Sequence, residues 1–153
     1  MPSVKQTSVN NHLLSRLPAD EFLQLAASLR PINAVLRRVL HEPGQLIETV
    51  YFIETGTASM IARLGDGDAL EVGLVGREGM VGLPVVLETD IAVMEAMVQV
   101  QGTALSLPAT ALRGGFHIDR WLRRPDFADR HAHPHLWPLA MGRGWRWTSG
   151  SWT

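Results

Sequence analysis

Four glycine-bearing turn signals cut the middle of the chain into pieces too short for helices: "EPGQ" (residues 42–45), "ETGT" (54–57), "GDGD" (65–68) and "GREG" (76–79). Gly, Pro and Asp punctuate backbone structure because they tolerate or impose turn dihedrals. The pieces between the turns alternate. In "DALEVGLVG", Leu70, Val72 and Leu74 oppose Ala69, Glu71 and Gly73. In "MEAMVQVQ", Met94, Ala96, Val98 and Val100 oppose Glu95, Met97, Gln99 and Gln101, and "TASMIARL" sets Ala58, Met60, Ala62 and Leu64 on one face. A period of two is the strand period, since successive side chains leave opposite faces of a sheet. "VYFI" (Val50–Ile53) is short and wholly apolar, "TALSLP" alternates again, and Asp66-Gly67 is a hairpin turn pair. Short strands at a spacing of roughly 8–12 residues predict a sandwich or barrel over residues 32–107.

The flanks differ. Residues 10–29 read as helix, with Asn10 or Asn11 as cap before Leu13, Leu14 and Leu17. Pro18 restarts the run, Asp20 and Glu21 suit its first turn, and Phe22, Leu25, Ala26 and Leu29 form one apolar stripe before Pro31 ends it. Another helix begins at "LPATALR" (107–113). The class is therefore α+β, mostly β. Three parts follow: an N-terminal helical segment (1–31), a β domain (32–113) and an atypical tail (114–153). The tail holds all five tryptophans and four of the six histidines, with no helical or strand periodicity.

Composition excludes several functions. The chain has 153 residues, is 46% hydrophobic and 19% charged, and carries a formal charge of -1, which suits a globular domain and opposes a strongly basic nucleic-acid surface. The absence of cysteine removes disulfides, thiolate catalysis and cysteine-bound metal clusters. No apolar run reaches the roughly 18–20 residues that span a membrane, and "MPSVKQTSVNN" lacks a secretory apolar core, so the expected compartment is the cytoplasm.

The stretch "VLHEPGQLIETVYFIETGTASMIARLGDGDALEVGLVGREGMVG" (residues 39–82) has a "PG" turn, a "VYFIETG" strand and turn, two further strands and a glycine-ended loop, in that order. In this order of parts the chain resembles the cyclic-nucleotide-binding domain of the Crp/Fnr family of bacterial transcription regulators, over roughly residues 12–113. The resemblance implies a double-stranded β-helix (jelly roll) with flanking helices. It implies a small-molecule effector as partner, a dimerising helix after the barrel and so a homodimer, and DNA binding only in a full-length relative.

In nucleotide-binding members, a cassette after the last glycine presents a Gly-Glu pair to the ribose and an Arg to the cyclic phosphate. The resemblance places the ligand site here at Val81, Gly82, Leu83, Pro84, Asp90, Ile91 and Ala92. Gly82 matches. Leu83 stands where the Glu would be, and the Arg position falls at Asp90 or Ile91. No Lys, Arg or His occurs between Arg77 and Arg113. A charge-assisted phosphate pair is worth ~1.5–3 kcal/mol, so its loss weakens binding about 10- to 150-fold. Backbone amides of the Gly79–Gly82 turn offer an anion only weak compensation. The cassette keeps its shape without its usual chemistry.

Other constellations are weaker. His131, His133 and His135 have metal-ligand spacing if extended, but such tracts are compositional signals first. Of the histidines, only His41 lies in the barrel, and it reads as an ordinary surface residue; with Glu42, Glu48 and Glu54 beside turns it builds no cupin-like metal triad or haem site. Met60, Met80, Met94 and Met97 read as core filling, and Arg37-Arg38 as a solvated pair. No cofactor and no enzymatic activity are expected. After Arg113 the dimerising helix and helix-turn-helix that the resemblance implies do not follow. Either the tail is a divergent extension, or the reading frame shifts near Arg113; the Arg-, Gly-, Pro- and Trp-rich text favours a shift. The expected function is an effector-sensing regulatory domain lacking its DNA-binding part. The alternative is a stand-alone interaction module that pairs with related regulators and binds no small ligand.

Overall fold

A computed structural model describes residues 3–86, 90–113, 147–148 and 151–152. After a 3-10 turn (Gln6–Ser8) come α1 (His12–Ser15) and α2 (Ala19–Ala26), then strands β1 (Arg30–Ala34), β2 (Val39–His41), β3 (Thr49–Ile53), β4 (Thr57–Arg63), β5 (Ala69–Val75) and β6 (Met80–Val81). A short α3 (Leu83–Val86), β7 (Glu95–Val100), β8 (Gly102–Pro108) and α4 (Ala109–Arg113) follow. Trp147–Thr148 (β9) and Ser151–Trp152 (β10) form a small antiparallel pair, where the alternation-free text predicted no strand.

Two four-stranded antiparallel sheets, in the orders β1-β8-β3-β6 and β2-β7-β4-β5, make the jelly roll. Their register explains "VYFI". Val50 and Phe52 face the helices and pack with Leu14, Leu17, Phe22, Leu25, Leu105, Leu107 and Leu112. Tyr51 and Ile53 face the barrel interior with Ala58, Val81, Ala96 and Ala104. A strand buried on both faces must be apolar throughout.

The helical segment is shorter and more broken than the sequence predicts. Asn11 caps α1, its side chain accepting from Leu13 N and Leu14 N. Pro18 opens α2, which ends at Ala26; Pro31 sits inside β1, an edge strand, where its missing N–H costs no ladder bond. Gln6 Nε2 donates to the carbonyls of Leu14 (3.2 Å) and Leu17 (2.7 Å), joining the 3-10 turn to the end of α1 and the residues just after it.

Two bulges break the predicted alternation. Between Met60 and Ile61 the partner in β5 jumps from Gly73 to Glu71, skipping Val72. Leu74 therefore pairs with Ser59 on the outer face and is exposed, while Val75 packs inward; Leu70, near the strand's start, is exposed as well. In β7, Gln99 is the extra residue between Val98 and Val100, so Met94, Ala96 and Val98 are buried but Val100 is not. A bulge inserts one residue and re-aims everything beyond it. Met80 and Met94 fill core, whereas Met60 and Met97 are half-buried.

Candidate functional site

The "EPGQ" turn and the segment 90–92 are laced together across one mouth of the barrel. Gly44, at φ +80°, donates its N–H to Ala92 O (2.8 Å), and Ala92 N donates to Gln45 O (2.9 Å). Ile47 N donates to Asp90 O (2.6 Å), and Leu46 forms a bridge with Ile91. Beneath this ribbon lies a cavity of about 270 Å³ lined by Val39, Leu40, His41, Glu42, Gln45, Leu46, Glu48, Thr49, Tyr51 and Ala92.

His41 is the centre of its polar wall. Its Nε2 lies 2.7 Å from Thr49 O, a carbonyl that can only accept, so Nε2 carries the proton and Nδ1 is left as an acceptor. Burial pushes its pKa below the usual 6.5, against a smaller upward pull from the Thr49 bond. This corrects the reading of His41 as an ordinary surface histidine. Its ring lies 5.7 Å from that of Tyr51, which is only 9% exposed.

The residues placed by resemblance are spread around this mouth. Ala92 lines the cavity and is buried. Val81 pairs with Tyr51 and lies in the barrel interior. Gly82 has φ +115°, and a Cβ there would stand 2.5 Å from Val50 Cγ1 and 3.3 Å from His41 Cε1, so both conformation and space require glycine. Leu83 and Pro84 begin α3. Asp90 and Ile91 lie on the ribbon, both exposed. Asp90 Oδ1 pairs with Arg113 Nη2 at 2.6 Å, tying the segment to the last residue of α4.

The Gly79–Gly82 turn is not the open nest of amides that its glycines suggest. Gly79 N donates to Gly76 O, and Met80 and Val81 form β6 against β3. His131, His133 and His135 lie outside the described residues. Among the described residues no group of three His, Cys, Asp or Glu is placed to hold a metal. The sequence reading missed Tyr51, Thr49, Glu42 and Glu48 as cavity wall. One signal was available: Tyr51 is the single polar side chain in "VYFI", on the parity opposite Val50 and Phe52.

No family model and no curated protein matches the chain. Solved structures do. The regulatory subunit of a cAMP-independent protein kinase A from Trypanosoma brucei is similar at TM-score 0.64 and 21% identity, over 80% of this chain and 47% of that one. Its counterpart from Trypanosoma cruzi, bound to guanosine, gives 0.62 and 21%, over 86% and 48%. The N-terminal domain of a transcriptional regulator from Streptomyces coelicolor A3(2) gives 0.57 and 18%, over 80% and 82%. The chain spans about half the length of the kinase subunits it matches. At these identities the likeness is one of fold: the cyclic-nucleotide-binding-domain fold. Among the described residues no helix is long and apolar enough to cross a membrane.

Proposed function

We propose that the chain is the effector-sensing domain of a Crp/Fnr-type transcription regulator, with a cassette that has lost its use for a cyclic phosphate. The observation that carries this is Asp90. The resemblance gives the phosphate-binding cation to Asp90 or Ile91, and neither is a cation: Asp90 is a carboxylate, already engaged by Arg113 at 2.6 Å. The neighbouring amide of Ala92 is committed to Gln45 O, so it is not free to hold an anion. The cavity beside it is walled by His41, Glu42, Glu48, Thr49 and Tyr51, with no Lys or Arg among the described residues that line it. A polar-walled cavity supports sensing over the alternative of an interaction module without a ligand. Two neighbours of the fold, one described as cAMP-independent and one bound to guanosine, support an effector other than cAMP.

Calorimetry tests the reading. cAMP and cGMP are expected to bind no tighter than roughly millimolar, about 4 kcal/mol of binding free energy. Micromolar affinity for either would show that the cassette works without its cation.

A further inference from the structure

We infer that the cavity at the barrel mouth takes a small organic cation, an amine or guanidinium on a short apolar body, as the effector of this domain. The inference rests on the sensing role proposed above and adds the chemical class of the ligand.

The wall presents acceptors. Glu42 and Glu48 both line the cavity, and among the described residues neither carboxylate makes an ion pair or hydrogen bond. Tyr51 also lines it, is 9% exposed, and its hydroxyl has no partner among the described residues. Buried hydroxyls are rarely left so, which makes this one an independent sign of a missing group. His41 spends its proton on Thr49 O and turns an acceptor nitrogen to its surroundings. Burial keeps that ring neutral near pH 7, so it does not itself supply the charge that the carboxylates lack.

Electrostatics then choose between ligands. A phosphate or carboxylate would meet two carboxylates and, among the described residues, no cation. An uncharged nucleoside could satisfy Tyr51 but would leave both carboxylates unpaired. A cation answers both, and its apolar body has Val39, Leu40, Leu46 and Ala92 to rest on. The volume of about 270 Å³ lies near the small end of ligand pockets, which favours a small cation.

The test is titration calorimetry on the full chain with tyramine and agmatine, beside guanosine and cAMP. At least one amine is expected to bind with submillimolar Kd. The Glu42→Gln/Glu48→Gln double variant should weaken it about 10-fold or more. Raising NaCl from about 50 to about 500 mM should weaken it as well. Tyr51→Phe, which keeps the ring in the core, should weaken it several-fold. Both glutamates are exposed, and circular dichroism confirms that each variant is folded. No amine binding at about 10 mM, or amine binding indifferent to the double variant, would overturn the inference. Guanosine binding in place of amine binding would overturn the cation class while leaving the sensing role standing. Tight cAMP binding would instead overturn the proposed loss of cassette chemistry.

Discussion

Asn11 holds the N-terminal segment to the barrel with all the hydrogen bonds its amide has to give. It is fully buried; Nδ2 donates to Ile53 O and Gly79 O, both at 2.8 Å, while Oδ1 accepts from Leu13 N and Leu14 N. Glu54 Oε2 completes the join, accepting from the N–H groups of Asn10 and Asn11. Asn11→Ala removes a helix cap and strands two buried carbonyls, so urea denaturation should show a loss of about 2–4 kcal/mol. Asn11→Asp, which keeps the cap but aims a carboxylate at two carbonyls, should do no better. A loss below about 1 kcal/mol for the alanine variant would mean that this join is not structural. His41 gives a second prediction at this scale. Its folded pKa lies below the unfolded value near 6.5, so between the two the unfolded chain binds more protons. Its contribution is full above about pH 6.5 and is lost as pH falls from there through the folded pKa. His41→Gln should therefore flatten the fall of the urea midpoint below pH 6.5; an unchanged pH profile would rule His41 out as its source.

At the scale of elements, what the sequence made legible is whatever has a strict period or a forced turn. The β4–β5 hairpin fell where Asp66-Gly67 placed it: Gly67 has φ +89°, and Asp68 N bonds Asp66 Oδ1. The cap of α1, the restart at Pro18 and the two-faced burial of β3 were equally local in cause. Bulges are not. Nothing in "EVGLV" says that Val72 will be skipped, because the choice depends on how β4 and β7 already pair, yet it decides that Leu74 faces water. The proposed loss of cassette chemistry rests on letters alone, on the run without Lys, Arg or His between Arg77 and Arg113. The cavity was not. Its wall brings β2 and the following turn to Tyr51 and to Ala92, far away in the chain, and contacts such as the ribbon bonds Gly44–Ala92 and Ala92–Gln45 join them. Leu83 and Asp90 or Ile91 stand out in the sequence only against the pattern the resemblance implies; Glu42 and Glu48 stand against no such pattern.

Across the whole molecule, the closure of the barrel can be followed strand by strand, and it ends before the tail begins. Every ladder of the two large sheets joins residues between Arg30 and Pro108, from Arg30–Ser106 at one end to Thr49–Pro108 at the other. α4 then seals the helical side, with Ala109 and Leu112 buried and Ala109 N donating to Glu48 O at 2.9 Å. That bond and the Asp90–Arg113 pair fix α4 at both ends against the rim of the cavity. The hydrophobic term scales with apolar area removed from water, and among the described residues this core, with Phe22, Phe52, Leu14, Leu25, Leu105 and Leu107 buried, is drawn from Val9 to Leu112. Removing residues 116–153 is therefore expected to leave the barrel folded, with a Tm within a few degrees of the full chain. On a domain of this size that corresponds to a change of about 1 kcal/mol or less. The cut falls beyond Arg113, so the ion pair to Asp90 survives it and amine binding should survive with it. Differential scanning calorimetry of the shortened chain checks the first expectation, and titration with tyramine and agmatine the second. A shortened chain that unfolds, or loses its ligand while folded, would show that the tail completes the domain.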